Sequence, residues 1–212
     1  MVTKRIEEKI LAAFGKTVAQ RGWMCTELSD IASESGESLA RIAEIGTGKT
    51  EILRAWLRTI NQTVLTAVEK TDEEETARER LFDVLMVRFE VLSRHRETIT
   101  RLEKAARCNP FLCGVMMSEM NHSMTWMLQA SGISTSGPMG LLRKKGAMLA
   151  WYTAHRVWVS DSGELSKTMA TLDKTLHRGE NYLNKADNVV SKLICIRKRC
   201  KPASVKTDEA VA

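Results

Sequence analysis

An all-α fold is predicted for this 212-residue chain, and three observations predict it. Apolar residues recur at steps of three and four through nearly the whole sequence, and no stretch alternates as a half-buried strand does. With 3 Pro and 12 Gly there is also little punctuation for the many tight turns of a strand-rich architecture. A chain of this length with 43% hydrophobic residues can bury a core without disulfides or metals. About nine helices are expected, three short and then six longer, with no internal repeat.

From Lys4 to Arg21, Ile6, Ile10, Ala13, Phe14, Thr17 and Val18 form the stripe of an amphipathic helix, which Gly22 ends. Thr26 is the expected N-cap of a second helix carrying Leu28, Ile31 and Ala32, and Gly36 stops it. Ser38 caps a third, very short helix, 39–45, closed by Gly46. Three short helices with Gly-centred turns read as a helix-turn-helix unit. Thr47 or Gly48 opens a long fourth helix through Ile52, Leu53, Trp56, Ile60 and Val64 to about Lys70. Thr71-Asp-Glu-Glu74 reads as a capping box for a helix over about 72–93, and a further helix spans about 96–107. Asn109-Pro110, an N-cap with Pro at the first helical position, starts a helix to about Ala130. After a Gly/Ser/Thr loop, Pro138 gives the same signal for a helix to about Ser160. Asp161-Ser-Gly-Glu164 reads as a second capping box, leading to a helix over about 163–184.

The formal net charge of +6 suggests nucleic acid until it is divided along the chain. Residues 185–212 hold seven basic and three acidic side chains, around Lys192, Arg197, Lys198, Arg199, Lys201 and Lys206, so most of the excess lies in that tail. Residues 1–70, with ten basic and nine acidic groups, are almost neutral, although phosphate neutralisation supplies most nonspecific DNA affinity. No apolar run is long enough to span a bilayer, and Glu7 and Glu8 stand where a signal peptide needs apolar residues. A cytoplasmic location is expected, with the five cysteines reduced and acting as packing residues.

Ile10-Leu-Ala-Ala13, Arg21-Gly22-Trp23, Thr26-x-Leu28-x-Asp30-Ile31-Ala32, Gly36-x-Ser38 and Lys49-x-x-Ile52-Leu53 together resemble, without a gap, the N-terminal domain of TetR-type regulators. The resemblance implies phosphate-backbone contacts from Thr26 and Lys49, and a recognition helix that starts at Ser38. The sequence departs from the family's pattern inside that helix: Leu39, Ala40, Ala43 and Gly46 replace its usual Lys or Gly-rich start and its aromatics. Ser38, Arg41 and Glu44 remain as polar groups there, and Arg41 alone suits a bidentate contact to guanine. Lys4 and Arg5 can add phosphate contacts. Further on, 77–86, Arg156-Val-Trp158, Asp161 and Lys167-Thr-Met-Ala-x-Leu-Asp173 resemble an alphaproteobacterial subgroup of TetR-like proteins. That subgroup is itself similar to the lipid-binding accessory protein of ubiquinone biosynthesis, which shares the fold, does not regulate transcription, and reaches membranes through a C-terminal amphipathic helix.

Other groupings are weaker. Gly46-Thr-Gly-Lys-Thr50 ends like a P-loop, but Ala43 stands where that motif needs Gly and no strand precedes it, so a helix boundary is the reading. Met116, Met120, Met124 and Trp126, with Met86, are either ordinary core or the wall of a pocket for a hydrophobic ligand; the resemblance implies an effector pocket in this part of the chain. Trp151, His155 and Trp158 share one helix face, suited to a dimer contact or to interior packing. Neither Cys-x4-Cys pair has zinc spacing and the four His do not cluster with them, so no metal, cofactor or enzymatic activity is expected. The tail joins an apolar group, 189–196, to its basic cluster, and suits an anionic membrane surface or a solubilising role.

The expectation is therefore a TetR-like homodimer: a helix-turn-helix domain over 1–50, a helical effector and dimerisation domain over 51–184, and a basic tail over 185–212. Its expected partners are a pseudo-palindromic DNA operator and a small hydrophobic effector. The rival expectation is a lipid-binding accessory protein of the same fold.

Overall fold

A computed structural model of the chain describes residues 3–68, 75–161 and 164–180. The described residues form nine helices and no strand, as expected from the periodicity. They are α1 (Lys4–Arg21), α2 (Leu28–Ser35), α3 (Leu39–Ile45), α4 (Lys49–Ala67), α5 (Ala77–Ser93), α6 (Arg96–Ala106), α7 (Pro110–Ala130), α8 (Gly137–Trp158) and α9 (166–180).

The first three helices pack as the apolar stripes require. Ile10, Phe14 and Val18 of α1, Ile31 of α2, Ile42 of α3 and Ile52, Leu53 and Trp56 of α4 are all buried. Phe14 meets the ring of Trp23 edge-on at 6.5 Å and that of Trp56 at 5.9 Å, a geometry that favours the ring quadrupoles. Gly36, at φ +65°, makes the turn between α2 and α3, where a Cβ would be strained. Two side chains tie this unit to the rest. Trp56 stacks edge-on with His95 at 5.3 Å, and the Thr98 hydroxyl of α6 donates to the Gly15 carbonyl of α1 at 2.9 Å. The helix-turn-helix end is thus joined to the second half through α1, α4 and α6.

Three helix starts differ from the sequence reading. Glu27, not Thr26, is the N-cap of α2, and Asp30 reaches back to accept the Glu27 N–H at 2.9 Å. Helix α5 begins at Ala77 rather than near residue 72, because Thr76 and Glu79 form the capping box: the Thr76 hydroxyl accepts from the Glu79 N–H and Glu79 accepts from the Thr76 N–H. The box expected over Thr71–Glu74 lies outside the described residues. At α9, Asp161 does cap, but from further upstream; its carboxylate accepts from the N–H and hydroxyl of Thr168, at 3.1 and 2.9 Å, and the helix starts at 166. The Asn109 cap of α7 and the early Pro in α7 and α8 are as expected. The basic tail over 185–212, with its expected membrane contact, also lies outside the described residues.

Candidate nucleic-acid interface and the helical interior

Helix α3 is seven residues long and buries one of them, Ile42. The Ser38 hydroxyl accepts from the Arg41 N–H, so the cap is formed as expected and the helix is held by its start and by Ile42. Ile45 is half-buried against the core and the rest is displayed: Leu39 is 53% exposed, Ala40, Ala43 and Glu44 are exposed, and the Arg41 side chain is 41% exposed with its guanidinium 3.6 Å from Glu44. Lys4 and Arg5 stand exposed in the first turn of α1. Three other basic groups of α1 are paired with acids of the α2 segment: Lys9 with Glu37, Lys16 with Glu34 and Arg21 with Asp30, at 3.0, 2.6 and 2.6 Å.

Two expected phosphate contacts are placed differently. Thr26 is fully buried and its hydroxyl donates to the Gly22 carbonyl at 2.8 Å, leaving no side-chain donor for a phosphate. The Lys49 ammonium is turned onto the carbonyl oxygens of Trp23 and Thr26, 2.7 Å from each, and lies 4.6 Å above the Trp23 ring. Burial lowers its pKa below the usual lysine value, with Glu27 opposing. Two of its three N–H donors are thus engaged in fastening the start of α4 to the turn before α2. Carbonyl acceptors carry no residue signature, so nothing in the sequence could have revealed this role.

The arrangement of α1 to α4 and the helical half behind it recurs in solved structures. A TetR transcriptional regulator from Nitrosomonas europaea superposes with a TM-score of 0.66 at 18% identity, over 82% of this chain and 97% of that one. A TetR regulator from Rhodococcus sp. RHA1 superposes at 0.58 and 12% identity, over 83% and 96%. The regulator FadR from Bacillus subtilis, in complex with stearoyl-CoA, superposes at 0.52 and 18% identity, over 81% and 96%. The chain has the TetR-regulator fold. No family model and no curated protein matches its sequence.

Within the TetR-type fold, the aromatic face of α8 points inward. Trp158 is fully buried and His155 nearly so; Trp151 stacks on Phe89 of α5 at 6.1 Å and on His155 at 4.5 Å, and the Trp158 indole N–H donates to the Ser93 hydroxyl at 3.1 Å. Arg96 lies 4.4 Å over the Trp158 ring. The dimer contact expected from Trp151, His155 and Trp158 is therefore corrected: these side chains already pack against α5 of their own chain. Leu142, Leu149 and Tyr152 occupy another face of α8 and are exposed.

The methionine group divides as well. Met86 and Met124 are buried, and Met116 and Met120 are half-buried against the core. Trp126 is 53% exposed and stands apart from this buried group. Among these apolar groups the structure places polar ones that periodicity did not single out. Arg88, 5% exposed on α5, donates from Nη1 to Asn61 Oδ1 of α4 at 2.7 Å, and Ser123 of α7 donates to the same oxygen at 2.7 Å. Burial lowers the Arg88 pKa to about 10. Glu119 of α7 is also buried, but it is paired with Arg54 at 2.7 Å.

His155 Nε2 lies 3.2 Å from Glu103 Oε1. Burial pushes Glu103 up to about 7, with Arg107 opposing, while burial and the nearby Arg88 and Arg96 push His155 down to about 4. The folded chain keeps a proton on Glu103 that the unfolded chain gives up, so this group destabilises as pH rises from about 4.5 through about 7. It refuses a proton on His155 that the unfolded chain takes, so that group destabilises as pH falls from about 6.5 through about 4. The two slopes oppose and nearly cancel where they overlap. Glu103→Gln removes the first alone. Unfolding free energies of that variant, from urea titrations, are expected to fall more steeply than those of the intact chain as pH drops from 6.5 to 4; an unchanged pH profile would contradict this assignment.

Proposed function

We propose that the protein is a transcriptional regulator: a homodimer whose two α3 helices enter successive major grooves of a pseudo-palindromic operator and whose helical half holds a small apolar effector. The observation that carries this is α3 itself, a capped helix that seats Ile42 and half-buried Ile45 on the core and displays its remaining side chains, on a fold shared with solved regulators. Two such helices read half-sites about 34–36 Å apart, so a small rotation between subunits ends binding. The division into 1–50, 51–184 and a tail over 185–212 is part of this proposal, and so is work in the cytoplasm. Among the described residues, no helix is long and apolar enough to cross a membrane.

In this reading Arg41 is the base-reading group, and Ser38, Lys4 and Arg5 contact phosphates. Lys49 acts chiefly by holding α4 against the turn at 23–26, with one donor left for a phosphate. Leu142, Leu149 and Tyr152, rather than the buried aromatics, supply the dimer face on α8. An apolar effector is supported by the methionine-bearing interior and by the stearoyl-CoA complex of the Bacillus subtilis regulator.

Fluorescence anisotropy with the chain's own upstream DNA, over a range of salt, tests the reading. Binding is expected to weaken with salt, and Arg41→Ala to relax sequence choice at one base pair per half-site, by about 1–3 kcal/mol. Absence of binding at low salt, together with lipid co-purifying with the protein, would replace this reading with the lipid-binding accessory function.

A further inference from the structure

Among the described residues, Arg88 is a buried cation with no carboxylate partner. Its Nη1 is held by Asn61, its Nε has no acceptor, and its Nη2 faces only the Met120 sulfur at 3.8 Å. The open side of the guanidinium is thus the Nε/Nη2 edge, the fork whose two parallel N–H groups match the two oxygens of a carboxylate. The indole N–H of Trp151, whose ring lies 5.9 Å from the Arg88 Cζ, is buried without an acceptor too. Acids on the neighbouring helices are engaged elsewhere, Glu119 with Arg54 and Glu103 beside His155. A lone charge taken out of water is costly unless paired, and an unmet buried donor adds to that cost. The other neighbours are the Met120 thioether at Nη2, the Trp151 ring, and Phe89 and the His155 imidazole stacked on that ring, the imidazole's pKa being lowered by burial and by the Arg88 charge. Met120 is a flexible side chain and a poor acceptor, so an incoming oxygen displaces it readily.

We propose that Arg88 is the head-group receptor for an apolar monocarboxylate, with the carboxylate on the Nε/Nη2 fork and the tail among the methionine and aromatic side chains around it. Asn61, itself fixed by Ser123, holds the guanidinium from the opposite edge and so orients the fork. The inference names the chemical class of the effector and rests on the regulator reading for its biological role, whereas the binding event can be measured without DNA.

Isothermal titration of the full chain with decanoate and with decan-1-ol, which share a tail and differ in the head, tests it. Decanoate is expected to bind at least about tenfold more tightly, since hydrogen bonds to a charged group carry the difference. Arg88→Met is expected to remove that preference, weakening decanoate far more than decan-1-ol, and to melt no lower than the intact chain because a lone buried charge is gone. Should Arg88→Met fail to fold, Arg88→Lys carries the test: it keeps the charge, lacks the fork, and is expected to lose most of the preference. Equal affinity for the two probes, or a preference that survives Arg88→Met or Arg88→Lys, overturns the proposal. Decanoate bound through Arg88 by a chain that ignores its upstream DNA defeats the regulator reading and leaves this site standing. DNA binding without a preference for decanoate does the reverse.

Discussion

Trp158→Ala is expected to lower the unfolding free energy by about 3–5 kcal/mol, the range for emptying a large aromatic site in a packed core. The ring is fully buried, its indole N–H bonds Ser93, and Arg96 lies over its face, so truncation leaves a cavity and strips a partner from each. The loss should be the same at low and high protein concentration, because the contacts lie within one chain. A residue of a subunit interface behaves differently, since its contribution follows the monomer–dimer equilibrium and therefore the concentration. Tyr152→Asp makes the comparison: exposed on another face of α8, it is expected to leave monomer stability within about 0.5 kcal/mol. It should instead shift sedimentation toward the monomer. Urea unfolding at two concentrations, together with sedimentation of both variants, checks this. A concentration-dependent loss in Trp158→Ala would return that residue to the interface.

The two tryptophans of α8 show what periodicity can and cannot say. Spacing of four and three residues placed Trp151, His155 and Trp158 on one face, and they do share one. Which surface covers a face is decided by tertiary packing, and here Phe89 of α5 covers it. The helix-turn-helix was legible for a stronger reason: capping residues, glycine turns and apolar steps agreed within a short stretch, and Ser38, Gly36 and Ile31 do what those signals imply. The structural roles of Thr26 and Lys49 are not legible in the sequence because their partners are backbone carbonyls, which every residue carries. Arg88 went unseen for the opposite reason. An arginine in an amphipathic helix normally marks a solvated face, and only its burial among α4, α7 and α8 gives it meaning. The sequence reading did not single out the capping box at Thr76; a more acidic stretch with the same spacing, Thr71–Glu74, stands just before it, and composition does not rank two such signals.

Gly46→Ala is expected to abolish sequence-selective DNA binding while the chain stays folded. Gly46 closes α3 with an extended backbone, φ −175°, so a side chain is tolerated there conformationally. The obstacle is space: a Cβ at this position would lie 2.3 Å from the Glu51 Cβ, far inside van der Waals contact. Both carbons are bonded directly to the backbone, so no rotamer change relieves the overlap and either α3 or α4 must move. Helix α4 is fixed by Ile52, Leu53 and Trp56, all buried, whereas α3 buries only Ile42 fully, with Ile45 half-buried against the core. The strain therefore goes into the orientation of α3. Overpacking of this kind costs about 1–3 kcal/mol in stability, and a turned α3 forfeits at least the roughly 1–3 kcal/mol of a bidentate base contact by Arg41. Gly48→Ala is the control two residues away. Its Cβ would meet only the Glu51 Oε2 at 3.1 Å, the far end of a side chain that can swing aside, so near-native affinity is expected. Anisotropy titrations on the same DNA, with thermal melts to confirm folding, separate the two. Equal binding by Gly46→Ala and the unsubstituted chain would mean that the placement of α3 on α4 does not govern recognition, and the DNA-reading surface would have to lie elsewhere on the helical body.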